Sequence, residues 1–182
     1  MSQSINLYNQ LANHKLFNKS VNFGLERIKL ALSLLGHPEK KLKNIISVIG
    51  ESGKFTTLFS LKSFIEANNQ KVTTHVSPSL RDIKERFYMG DKYLNHKEIK
   101  KTIKQIEKLN IPLTIFECLT LVYIINASKI NADYNIQETG ALWRLSLIHI
   151  SEPTRLLSIW FWGVWVEKKR WGGGGGGGGG GG

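Results

Sequence analysis

The segment Lys43-Asn44-Ile45-Ile46-Ser47-Val48-Ile49 runs without a break into Gly50-Glu51-Ser52-Gly53-Lys54. An extended stretch that is apolar on both faces must be covered from both sides. That suits a central parallel strand between helices and disfavours a strand with one wet face. A helix is expected next, because Leu58, Leu61 and Ile65 repeat on one stripe. The chain is therefore built around a strand, a glycine-bracketed turn carrying a lysine, and a helix. This is the layout of a phosphate-binding loop. Two glycines let the backbone bend so that successive N–H groups aim at one anion, and the helix N-terminus adds partial positive charge. Lys54 can neutralise phosphate oxygens, while Thr56 or Thr57 can offer a hydroxyl near a Mg²⁺. The strict pattern GxxxxGK[ST] requires glycine and a hydroxyl residue where this chain has Val48 and Phe55. The pattern alone leaves equal room for a plain strand-to-helix turn with an exposed lysine.

The flanking segments extend the alternation. Leu25, Ile28, Leu32 and Leu35 form one helical stripe, which Gly36 ends and Pro38 keeps from restarting. Lys71 to Ser77 (KVTTHVS) is a β-branched strand, and Arg81 to Asn95 (RDIKERFYMGDKYLN) reads as irregular with a turn near Gly90. Asn95 and Glu98 are spaced as a capping box for a surface helix with Ile99, Ile103 and Ile106 on its buried stripe. A more apolar helix follows from about residue 115, then a last strand near 134–138, expected to lie parallel to 45–49. This order predicts an α/β three-layer domain with a mostly parallel sheet.

Net charge is +11, but the lysines lie along helix faces, as in Lys97, Lys100, Lys101 and Lys104, which predicts a solvated surface rather than a nucleic-acid interface. The single cysteine, Cys118, sits among apolar neighbours and predicts a buried structural thiol in a reducing compartment. The five histidines show no paired metal spacing, so no zinc site is expected. Without an apolar leader or a long apolar run, a cytoplasmic chain with no membrane partner is expected.

Several short motifs fall in order: Gly24-Leu25-Glu26-Arg27-Ile28, Leu35-Gly36-His37-Pro38, the loop Gly50 to Thr57, Ser77-Pro78-Ser79-Leu80 with Glu85-Arg86, Thr114 to Thr120, and Glu138-Thr139-Gly140 through Arg144-Leu145. Together, over about residues 20–144, they resemble the folylpolyglutamate synthase/dihydrofolate synthase family, relatives of the Mur ligases. The resemblance implies a P-loop-type, Mur ligase-like nucleotide-binding domain. It implies an ATP site at Gly50, Ser52, Gly53, Lys54, Phe55 and Thr56, with Lys54 catalytic, and Ser77 and Glu138 as Mg²⁺ ligands. It also implies contact of Ser20, Val21, Asn22, Phe23, Thr114, Ile115, Phe116 and Glu117 with a pterin-bearing substrate. Arg27 is read as a structural ion-pair partner. For Glu117 a helix N-terminal carboxylate, and for Ser77 a turn serine before proline, are the plainer alternatives. The implied chemistry is ATP-dependent, ADP-forming joining of L-glutamate to dihydropteroate or folate through an acyl phosphate, in a monomer. The chain departs from the family pattern at Glu51, Phe55, Ser79, Leu142 and Trp143.

The composition changes abruptly after the last motif. Trp160, Trp162, Trp165 and Trp171 lie there, and Gly172 to Gly182 is an unbroken glycine run. Leu145 to Arg155 (LSLIHISEPTR) is also a translation of a transposase adapter used in short-read sequencing, and poly-G reads would encode the glycines. Residues 145–182 are thus expected to be an artefactual or disordered tail, the alternative being a Trp-rich interaction tail with a glycine linker. Residues 1–144 are expected to be the N-terminal part of the ATP-binding domain, inactive without the rest. A non-catalytic P-loop nucleotide-binding domain and a basic RNA-binding module are the competing functional readings.

Overall fold

The computed structural model describes residues 17–18, 25–50, 52–139, 156–161 and 164–169. Its strands are β1 (Phe17–Asn18), β2 (Ile45–Gly50), β3 (Val72–His75), β4 (Phe87–Met89), β5 (Leu113–Thr114), β6 (Tyr134–Glu138), β7 (Leu156–Phe161) and β8 (Val164–Lys169). Its α-helices are α1 (Glu26–Leu34), α2 (Lys54–Ala67), α3 (His96–Glu107) and α4 (Ile115–Ala127), with short 3-10 turns at Pro38–Lys41 and Ile83–Arg86.

The main sheet has the order β4-β3-β6-β2-β8-β7. β2, β6 and β3 are parallel, with Ile45 opposite Asn135 and Val48 opposite Glu138. The neighbouring parallel strands expected at 45–49 and 134–138 are therefore present. Helices cover both faces. α2 packs on β2, β3 and β6, and α4 packs on β3 and β4 with α1 and α3 behind it. The alternation of β2 divides the core accordingly. Ile46 and Val48 join Leu58, Val72 and Ile136 under α2, while Ile45 joins the larger cluster of α1, α3 and α4.

The helix signals act as their chemistry requires. Gly36 ends α1 at φ +75°, and His37 N–H closes back on the Leu32 carbonyl at 2.9 Å. Asn95 and Glu98 form the reciprocal capping box of α3, at 2.9 and 2.8 Å. α4 is buried nearly all round, and Cys118 within it is fully buried, its thiol pushed up by desolvation.

The sheet also carries a polar layer beneath α4. The Thr73 hydroxyl donates to Asn135 Oδ1 at 2.7 Å and lies 2.9 Å from the Tyr123 hydroxyl. Asn135 Nδ2 donates to the Lys43 carbonyl at 2.6 Å. His75 is stacked between Phe87 and Tyr123, with ring centres 5.5 and 5.2 Å away.

Among the described residues the sheet is mixed and not mostly parallel, because β4, β8 and β7 join the parallel β3, β6 and β2 by antiparallel pairing. Two further differences from the sequence reading stand out. Residues 81–95, read as irregular, contain the 3-10 turn and β4, which pairs antiparallel with β3. Three residues are too few to display a period, and the pairing partner supplies the order. The other difference concerns the tail. β8 pairs antiparallel with β2 from Ile46–Lys168 to Gly50–Val164, and β7 pairs with β8. An open strand edge presents unpaired N–H and C=O groups to any β-prone segment, so this pairing requires no partner shaped for it. The glycine run lies outside the described residues.

Candidate functional site at the carboxyl ends of the parallel strands

Ligands of open α/β sheets bind beyond the carboxyl ends of the strands, and that is where the chain gathers its functional groups. β2 ends at Gly50, and Gly53 caps α2 with φ +78°, a left-handed conformation that glycine adopts without steric cost. Ser52 and Gly53 are exposed, so the N-terminal amides of α2 open to solvent. Lys54, the first residue of α2, turns back and donates from Nζ to the Gly50 carbonyl at 2.7 Å. The same Nζ stands 3.9 Å from Glu138 Oε1. Phe55 is 43% exposed, its ring lying 4.4 Å from that of Phe59, and Thr56 is exposed beside it.

Glu138 ends β6 and is placed by register opposite Val48 of β2. Thr139 locks that end, with both its N–H and its hydroxyl donating to the Val48 carbonyl at 3.0 Å. Glu138 Oε2 accepts the Ser77 N–H at 3.1 Å. Three segments far apart in sequence thus bring Lys54, Ser77 and Glu138 together. Glu138 is nearly buried, and desolvation raises its pKa against the opposing pull of the Ser77 N–H, Lys54 and Arg86.

Arg86 was given no role by sequence reasoning. It is buried at the end of the 3-10 turn, its carbonyl accepts the Val76 N–H at 3.2 Å, and its charge bears on both Glu138 and His75. Its signal in the sequence was the Glu85-Arg86 pair. Glu85 holds the other end of the same loop, accepting the Leu80 and Arg81 N–H groups at 2.9 and 3.1 Å.

The segment Thr114 to Glu117 forms a second cluster. Thr114 caps α4, and the two residues exchange bonds: Thr114 N–H to Glu117 Oε2 at 2.6 Å and Glu117 N–H to Thr114 Oγ1 at 3.2 Å. Arg27 of α1 closes on the same Oε2 at 3.3 Å, the ion-pair role expected for it. Glu117 is fully buried, and its Oε1 has no hydrogen-bond partner. The sequence reading placed Glu117 against a pterin-bearing substrate, with a helix N-terminal carboxylate as the plainer alternative. Its carboxylate takes that helix N-terminal role, capping its own helix and pairing with α1. Ile115 and Phe116 are half-buried in the first turn, and β1 runs parallel beside Leu113–Thr114. Ser20, Val21, Asn22, Phe23 and Glu51 lie outside the described residues.

No family model matches the chain. Individual proteins do. The chain is 31% identical over 137 residues to the dihydrofolate synthase/folylpolyglutamate synthase of Escherichia coli, covering 74% of this chain and 32% of that protein. It is 28% identical over 149 residues to the Bacillus subtilis protein of the same name, covering 77% and 34% respectively. In structure it resembles the bifunctional folylpolyglutamate synthase/dihydrofolate synthase of Yersinia pestis complexed with AMPPNP and Mn ion. That likeness has a TM-score of 0.71 at 28% identity and covers 80% of this chain and 35% of that one. Escherichia coli FolC in complex with DHPP and ADP gives a TM-score of 0.71 at 30% identity, over 80% and 35%. The chain spans about a third of the length of the curated relatives it matches. In sequence and in fold, the chain is similar to about a third of the length of the folylpolyglutamate synthase/dihydrofolate synthases, as an α/β domain with helices on both faces of its sheet.

Proposed function

We propose that the chain is the nucleotide-binding part of an ADP-forming ligase that joins L-glutamate to dihydropteroate or folate. The observation that carries this reading is the convergence of the glycine loop, Lys54, Ser77 and Glu138 at the carboxyl ends of three parallel strands. The open amides of the α2 N-terminus and Lys54 suit the phosphates of ATP, with Gly50, Ser52, Gly53, Phe55 and Thr56 lining them. Ser77 and Glu138 supply two hard oxygen donors, which fits Mg²⁺. Ser77 and Glu138 would hold the cation with the help of phosphate oxygens and water, since among the described residues no group of three or more His, Cys, Asp or Glu side chains could hold a metal ion alone. That cation would offset negative charge on the phosphates when bound. Lys54 would stabilise charge on the transferring phosphoryl group, which leaves a carboxylate activated for attack by the amine of glutamate. Ser20 to Phe23 and Thr114 to Glu117 would face the pterin-bearing substrate, in keeping with the unpartnered Oε1 of Glu117.

We assign residues 1–144 to this domain and give 145–182 no part in the site. The domain acts as a cytoplasmic monomer without a nucleic-acid or membrane partner. Among the described residues no helix is long and apolar enough to cross a membrane. Catalysis requires the portion of the relatives that this chain does not match, so the chain binds nucleotide without turning over. Calorimetric titration of residues 1–144 and 1–182 with Mg-ATP, beside an assay of ADP release with dihydropteroate and glutamate, tests this. Binding by both without ADP release is expected. ADP release by 1–182 that disappears in 1–144 would assign the tail a function and overturn the assignment.

A further inference from the structure

The charges around Glu138 are not arranged to receive a metal ion directly. Its Oε2 is occupied by the Ser77 N–H at 3.1 Å, and its Oε1 faces Lys54 Nζ at 3.9 Å. Lys54 is held in that position by a second bond, to the Gly50 carbonyl at 2.7 Å. Arg86, buried behind the loop, adds a second cationic charge bearing on the same carboxylate. The carboxylate thus faces Lys54, and the charge of Arg86 acts on it as well. Coulomb attraction falls off only as the inverse of distance, so an ammonium at this range offsets much of the field that would draw in a divalent ion.

We propose that Lys54 guards Glu138 in the nucleotide-free chain, so that the divalent cation is admitted with or after the nucleotide phosphates and not before them. The phosphates bring several negative charges to the α2 N-terminus, where the exposed amides of the loop await them. They draw the Lys54 ammonium off Gly50 and Glu138, and the same movement uncovers Glu138 Oε1 for the metal. Nucleotide and metal are then coupled through one side chain: each binds better when the other is present, by the same factor. The Lys54 ammonium and the N-terminal amides of α2 also let free nucleotide bind without metal. This inference rests on the nucleotide-binding reading and adds an order of events to it.

Manganese binding, followed by the electron paramagnetic resonance of free Mn²⁺, tests the guard on the full chain. Without nucleotide, Lys54→Met is expected to bind Mn²⁺ on the order of tenfold more tightly than the unsubstituted chain. Adding Glu138→Gln to Lys54→Met is expected to abolish that gain, and Lys54→Arg to preserve the guard. Lys54→Gln serves as a second neutral variant should Lys54→Met fail to fold. Equal Mn²⁺ affinity in the unsubstituted chain and in Lys54→Met, or a gain that survives Glu138→Gln, would overturn the guard. A parallel titration with AMPPNP in EDTA separates this from the functional reading. Saturable AMPPNP binding with no effect of Lys54→Met on Mn²⁺ removes the guard alone. Absence of AMPPNP binding in the unsubstituted chain removes the nucleotide site and the guard with it.

Discussion

Glu117 and Glu138 are both buried carboxylates, each takes a backbone N–H, and each faces a cation. They differ in where their partners come from. Glu117 Oε2 accepts the N–H of Thr114, three residues away at the start of its own helix, at 2.6 Å, with Arg27 closing on the same oxygen at 3.3 Å, while its Oε1 has no hydrogen-bond partner. Glu138 depends on Ser77, 61 residues away, at 3.1 Å, and on a lysine that stands off at 3.9 Å while bonding elsewhere. The first arrangement is anchored by a bond within one helix turn, and it stabilises the helix that makes it. The second is assembled by the sheet from separate loops, and its nearest cation also bonds the loop that would meet a ligand. A buried carboxylate held by its own first turn is thus part of the framework, whereas one at a strand end among long-range cationic partners is suited to chemistry.

Substitutions should separate the two in stability. Glu117→Ala removes the capping box and strips Arg27 of a partner inside the core, and a loss of about 2–3 kcal/mol is expected in urea denaturation. A loss below about 0.5 kcal/mol would show that the cluster is not framework. The His75 row beneath the site should give the next largest effect, through pH. Burial pushes the His75 pKa down to about 3, with Arg86 adding to the shift. Between that value and the unfolded value near 6.5 the unfolded chain holds more protons, so His75 contributes stability that is lost as pH falls through this window. The slope amounts to at most about 1.4 kcal/mol per pH unit. His75→Phe should flatten it in denaturation curves taken from pH 7 to 5, and an unchanged slope would contradict the buried neutral state. Thr114→Ala, which removes the cap oxygen alone, should cost about 1 kcal/mol.

Glu138→Gln should have the smallest effect on stability. Desolvation raises the pKa of this carboxyl, so its folding contribution weakens as pH rises above the unfolded carboxylate value. At pH 7 the neutral amide should therefore leave the melting temperature unchanged or raise it slightly. A drop as large as that of Glu117→Ala would erase the distinction between the two residues.

Much of the framework was legible because its signals are local. The apolar run of β2, the stripe Ile99, Ile103 and Ile106, the glycine after α1 and the Asn95–Glu98 box each act within a turn or a strand of themselves. β4 and the polar layer were not legible. Phe87–Met89 is a strand because β3 lies beside it, and Asn135 is tolerated in a central strand because Thr73 and the Lys43 carbonyl, both distant in sequence, satisfy it. In the site, Lys54, Ser77 and Glu138 could be named from motif order. The role of Arg86 could not, because its burial beside Glu138 depends on how the loop from Ser77 to Arg86 folds back. For Glu117 the legible part was local: the spacing that makes it conspicuous is that of a capping box.

The central claim is that the glycine loop and Lys54 form a nucleotide site in this chain. Calorimetric titration of Mg-ADP into the unsubstituted chain and into Lys54→Met tests it most directly. The account predicts saturable binding with one site per chain, weakened by Lys54→Met on the order of tenfold or more. Failure of the unsubstituted chain to bind Mg-ADP, or an affinity that Lys54→Met leaves unaltered, would contradict it.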